Sequence, residues 1–117
     1  MNAPGSHLLV DGRTPILLDE EYLSKFLTDL VSVVHMTVIM GPEVRHRGSL
    51  WVGWIVLAES HCAIHIHHRE AHIDCFSCSA YSVDEALAFI IKRLKLHDVM
   101  YQIIERPMPD PIGGSDD

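Results

Sequence analysis

The densest run of reactive side chains is Glu59-Ser60-His61-Cys62-Ala63-Ile64-His65-Ile66-His67-His68, with Asp74, Cys75 and Cys78 a short step behind it. A hydroxyl becomes a nucleophile when a neighbouring group takes its proton, imidazole exchanges protons near neutral pH, and a thiol can attack or donate. Laid out as a strand, the run sends His61, His65 and His67 to one side and Cys62 and Ile64 to the other. The expectation is that the Ser60 hydroxyl, at the strand's start, and the imidazoles further along meet in a cleft. Taken singly, these residues have plainer readings. Ser60 is a strand-end hydroxyl, His65 a hydrogen-bonded core histidine and Cys78 a small buried apolar residue.

Metal chelation is the first alternative, because His65, His67, His68, His72, Cys75 and Cys78 lie close together. On a strand, however, Cys75 and Cys78 point to opposite faces, which suits tetrahedral zinc poorly unless a turn intervenes. The reading carried forward has no metal. Cys62 and Cys75 are taken as core, and His61, His67, His68 and His72 as largely exposed.

Elements that would hold this cluster can be marked along the chain. His7 to Asp11 is a short apolar strand and Gly12 to Pro15 a turn. Asp19 caps a helix whose Tyr22, Leu23, Phe26, Leu27, Leu30 and Val31 recur at spacings of three and four. Met36 to Met40 is a second strand, and the aperiodic segment Gly41 to Ser49 reads as an exposed loop. Leu50 to Ala58 is apolar on both alternating faces, as a central strand should be. His61 to His67 and His72 to Cys78 follow as strands around a polar turn at His68 to Glu70. Ser82 and Glu85 form a capping box before Ala86, Leu87, Ile90, Ile91 and Leu94, and Val99 to Glu105 is the last strand. Residues 107–117, with three prolines and acidic residues, read as a disordered tail.

A strand-helix-strand unit at each end implies an α+β two-layer sandwich: an antiparallel sheet, two similar halves, and both helices on one face. At 117 residues with 48% hydrophobic content, the chain fits one domain. Its net charge of −7 argues against nucleic acid as a partner. No apolar run approaches the roughly 20 residues that span a bilayer, and no signal peptide is visible. The expected location is the cytoplasm, where three cysteines stay reduced.

The segment Leu57-Ala58-Glu59-Ser60-His61-Cys62-Ala63-Ile64-His65 resembles the Glu-Ser-His-x-x-x-His processing motif of the small prokaryotic S-adenosylmethionine decarboxylases. Asp74-Cys75-Phe76-Ser77-Cys78 is similar to that family's Asp-x-Phe-Thr-Cys, and Gly5-Ser6-His7-Leu8-Leu9-Val10-Asp11 extends the likeness to the N-terminal strand. Most of residues 5–105 can be laid along the family.

The resemblance implies a self-cleaving proenzyme. Ser60 attacks the carbonyl of Glu59, the amide becomes an ester, and loss of the Ser60 Cα proton expels the Glu59 carboxylate. Hydrolysis of the resulting dehydroalanine leaves a pyruvoyl cofactor on a chain of residues 60–117, beside a partner chain of residues 1–59. By the same resemblance His65 handles the proton in the elimination. The pyruvoyl carbonyl forms a Schiff base with the substrate amine and accepts the electrons released as CO2 departs, as pyridoxal phosphate does. Cys78 then returns a proton to the carbanion. The product would serve as aminopropyl donor for spermidine synthesis, and the expected assembly is a homodimer of cleaved protomers.

Two positions depart from the family. Val52 stands where a serine commonly assists processing. After His65, where the family has Thr-x-Pro-Glu with a glutamate implicated in holding ribose, this chain has Ile66-His67-His68-Arg69-Glu70 and a shorter turn. Glu70 is the candidate substrate-binding substitute. These departures motivate two rivals: a pyruvoyl-dependent decarboxylase of ornithine or arginine, and an unprocessed homologue acting as a binding or regulatory subunit.

Overall fold

The computed structural model describes residues 5–58, 60–78 and 80–106. Eight elements follow in order: β1 (Ser6–Arg13), α1 (Glu20–Val34), β2 (Val38–Arg47), β3 (Leu50–Leu57), β4 (Ser60–His67), β5 (Glu70–Ser77), α2 (Val83–Leu94) and β6 (His97–Glu105). The six strands form one sheet in the order β2-β3-β4-β5-β1-β6, and every neighbouring pair is antiparallel.

Consecutive strands β2 to β5 pair through tight connections. Gly48, at φ 60, turns β2 into β3, a conformation glycine adopts without steric cost. The two helices make the longer crossings, α1 joining β1 to the parallel and distant β2, α2 joining β5 to β6 across β1. The two strand-helix-strand units therefore share a plan but step over different numbers of strands.

Both helices start and stop where their caps dictate. The Asp19 carboxylate accepts from the Tyr22 N–H at 2.7 Å, and the Ser82 hydroxyl accepts from Glu85 N–H at 3.3 Å. Each helix ends on a left-handed residue, His35 and Lys95. Leu23, Phe26, Leu27 and Leu30 of α1 and Ile90 and Leu94 of α2 are fully buried against Leu8, Val10, Ile55, Leu57, Cys62, Ile64 and Ile73 of the sheet. Phe26 stacks on Phe89 between the helices, and Arg93 reaches Asp29 at 2.7 Å.

The core thus lies on one side of the sheet. The opposite face, with Trp54, Val56, His61, Phe76, His7 and Met100 on it, carries no helix among the described residues.

Gly41 to Ser49 corrects the expected loop. Most of it continues β2 to Arg47, and only Gly48 and Ser49 turn. As an edge strand it keeps just Val44 buried, so no alternation survives to betray it, and a register shift between Met40 and Glu43 absorbs Gly41 and Pro42. Likewise β1 runs through Gly12 and Arg13, which were expected to turn, and β6 begins at His97. The expected tail at 107–117 lies outside the described residues.

Candidate active site

Ser60 is the first residue of β4, paired with Leu57 on β3 and Ser77 on β5. Strand parity puts its side chain with Cys62 and Ile64, toward the helices. Its hydroxyl donates to Ser77 Oγ at 2.8 Å and lies 3.0 Å from Met36 Sδ. Beside it opens a cavity of about 170 Å³ lined by Met36, Thr37, Ala58, Ser60 and Ala80. Glu59 lies outside the described residues.

Cys78 follows Ser77 in the bend that ends β5, a half-buried free thiol at the same end of the sheet as Ser60. The chain after it is anchored by Tyr81, whose buried hydroxyl donates to the Cys75 carbonyl at 2.9 Å. Burial, with the neighbouring thiols, pushes the Tyr81 phenol well above its usual range, so it stays a neutral donor. Cys62 and Cys75 are buried cross-strand partners, as expected of core residues. The contact with Cys75 and the dry surroundings raise the Cys62 thiol well above the ordinary range, which makes it a poor nucleophile.

His65 does not meet Ser60 within the chain. Five residues along β4 is about 16 Å, and His65 projects from the uncovered face, exposed, between Val52 and His72. Its ring centroid is 6.4 Å from that of His72. The cleft expected to join the Ser60 hydroxyl to the imidazoles is therefore absent from the single chain: a hydroxyl on one parity and a histidine on the other cannot share a face. Val52 sits in the same outward row as His65, so a serine there could not touch Ser60 in its own chain either.

Glu70 opens β5 at the far end of the sheet, about 23 Å along the strand from Ser77, exposed and paired with Arg13 and His67. The structure does not bring it to Ser60.

Three residues that sequence reasoning left without a role converge on the uncovered face. His7 Nε2 lies 3.1 Å from Asp74 Oδ1, and the His7 ring sits 6.2 Å from His61 and 5.7 Å from Phe76. The three polar side chains place their ligand atoms within 4.8 Å of one another. His61 directly follows Ser60, and the register β4-β5-β1 carries His7 and Asp74 to it. Only that non-local pairing identifies the group.

The fold is a two-layer α+β sandwich with a hydrogen-bonded serine opening one central strand and a free thiol just past the end of the next, and its relatives make the protein a lyase of the carboxy-lyase class. The S-adenosylmethionine decarboxylase family model matches residues 6–107, and the chain belongs to that family. It is 30% identical, over 96% of its length and 88% of the relative's, to an S-adenosylmethionine decarboxylase proenzyme of Hydrogenobaculum sp. (strain Y04AAS1). Its fold matches the crystal structure of the adenosylmethionine decarboxylase from Aquifex aeolicus VF5 with a TM-score of 0.71 at 21% identity, covering 93% of this chain and 95% of that one. Among the described residues no helix is long and apolar enough to cross a membrane.

Proposed function

We propose that this chain is a proenzyme that cuts itself between Glu59 and Ser60, converts Ser60 to a pyruvoyl group and decarboxylates S-adenosylmethionine as a homodimer in the cytoplasm. The observation that carries this reading is the Ser60 hydroxyl: it opens β4, donates to Ser77, borders a cavity, and shares its end of the sheet with Cys78. A pyruvoyl group there supplies an electron sink for the bond broken as CO2 leaves. The residues present suit it, since Val34, Met36, Thr37, Ala58 and Ala80 leave space beside Ser60, and no carboxylate, lysine or arginine lines that space, His35 being its one titratable side chain among the described residues.

Each side chain then has a task. Ser60 supplies the attacking oxygen. Cys78 returns a proton to the substrate's α-carbon. His65 takes the Ser60 Cα proton, and since it lies on the uncovered face far from its own Ser60, this role requires the imidazole of a second copy. Half-buried Trp54, Val56 and Phe76, with exposed Met100 and Ile104, give this face the apolar surface that a partner sheet would cover. The three free thiols suit a reducing compartment.

Intact-mass measurement on purified protein tests the reading. Two fragments are expected, broken after Glu59, with the C-terminal one blocked to Edman sequencing and CO2 released from S-adenosylmethionine in preference to ornithine or arginine. A single full-length species after long incubation would overturn self-cleavage.

A further inference from the structure

We infer that Ser77 is the positioning residue for self-cleavage: it holds the Ser60 hydroxyl in the orientation from which the oxygen attacks the Glu59 carbonyl. This rests on the self-cleavage reading above.

Three serines stand in one row across neighbouring strands: Ser60 on β4, Ser77 on β5 and Ser6 on β1. All point to the helix side of the sheet, where Leu57 extends their row and the rows beyond them are Cys62, Ile64, Ile73, Cys75, Leu8 and Val10. Ser77 and Ser6 are completely buried, and Ser6 Oγ has no hydrogen-bond partner among the described residues. Burying a hydroxyl in such surroundings costs about 1 to 3 kcal/mol unless a hydrogen bond compensates, so packing alone would favour alanine at these positions.

Ser60 has one hydroxyl proton and two acceptors in reach, Ser77 Oγ at 2.8 Å and Met36 Sδ at 3.0 Å. Thioether sulfur is the weaker acceptor, so the proton is directed at Ser77. With its proton so fixed, Ser60 Oγ keeps both lone pairs pointed elsewhere, free to approach a carbonyl carbon.

In the step itself the Ser60 Oγ–C bond to the Glu59 carbonyl carbon forms as the C–N bond to Ser60 breaks, and the hydroxyl proton ends on the released amine. The change is an isomerisation that consumes nothing. Val52 removes the serine commonly found at its position, but that position faces away from Ser60. The hydroxyl that does contact Ser60 is on Ser77, where the family's segment has threonine.

The test compares the full-length chain with Ser77→Ala, Ser77→Thr and Ser77→Cys, following cleavage after synthesis and after hydroxylamine, which splits an ester and spares an amide. Ser77→Ala should cleave about 10- to 100-fold more slowly, the scale of a misplaced reacting group. Its uncleaved chain should resist hydroxylamine, because the block precedes the ester. Ser77→Thr should cleave within a few-fold of wild type. Ser77→Cys fills the site with a somewhat larger side chain that is a poorer acceptor and should be slow, so it serves if alanine there prevents folding. Wild-type cleavage rates in both Ser77→Ala and Ser77→Cys would overturn the inference. So would a hydroxylamine-sensitive ester building up in Ser77→Ala, or Ser77→Thr as slow as alanine in a folded protein. Failure of the wild-type chain to cleave at all is a different result, and it overturns the self-cleavage reading beneath this one.

Discussion

Ser60 and Cys78 sit one strand apart at the same end of the sheet, yet the chemistry proposed for them falls in separate steps, and substitution should separate the two. Ser60→Ala removes the attacking oxygen and should leave a chain that is uncleaved and inactive. It also removes the bond to Ser77, at a cost of about 1 kcal/mol, so the melting temperature should fall by only about 4 °C. Cys78→Ala should still cleave fully but lose about 100-fold or more in decarboxylation, the scale of a lost general acid. Full activity in cleaved Cys78→Ala would remove the thiol from the reaction. At this scale the candidate residues stood out in the sequence because their types are rare together and their order matches a family motif. Their meeting was not. Parity along β4 already separates Ser60 from His65, whereas the contacts Ser60–Ser77 and His7–Asp74 arise from strand pairing between residues far apart in sequence.

The two helices are joined by the Arg93–Asp29 pair, whose geometry makes a pH-dependent prediction. The guanidinium hydrogen bond, with Lys25 nearby, holds the Asp29 carboxyl below its ordinary 3.8. A depressed carboxyl stabilises the fold at pH above its ordinary value and loses that contribution as pH falls through the folded value. Both side chains are roughly 30% exposed, which keeps the pair to about 1 kcal/mol or less. Asp29→Asn should therefore melt a few degrees below wild type at pH 7, and the gap should close as pH drops below about 3.8. A gap that persists at pH 2.5 would assign the effect to packing. The helices themselves could be read from sequence because Asp19 and Ser82 act locally and the apolar stripes are long. The second half of β2 could not, since an edge strand that buries only Val44 and is interrupted by Gly41 and Pro42 carries no period to detect.

For the whole molecule the decisive surface is the uncovered face of the sheet. A sedimentation experiment should find a dimer, and Trp54→Lys, which sets a charge amid that face, should yield folded monomers by circular dichroism. Mixing gives a sharper measurement. His65→Ala alone should stall as an ester that hydroxylamine splits, and Ser60→Ala alone should never cleave. Refolded together, they should form mixed dimers in which the partner's His65 acts on the intact Ser60, so that the His65→Ala chain is cut. Mixtures that stay uncut would remove the partner's His65 from the reaction.

The strand order would give a chain cut after Glu59 an unusual anatomy. A break between β3 and β4 assigns β1, α1, β2 and β3 to one piece and β4, β5, α2 and β6 to the other. Yet β1 lies between β5 and β6, so each piece reaches into the other like a dovetail joint. The pieces meet along three ladders, β3 with β4, β5 with β1 and β1 with β6, and neither owns a continuous sheet. Scission there would be uncoupled from separation. The backbone would open at the proposed bond while the tongue of one piece stays clasped by the other, and the two should part only under conditions that unfold both.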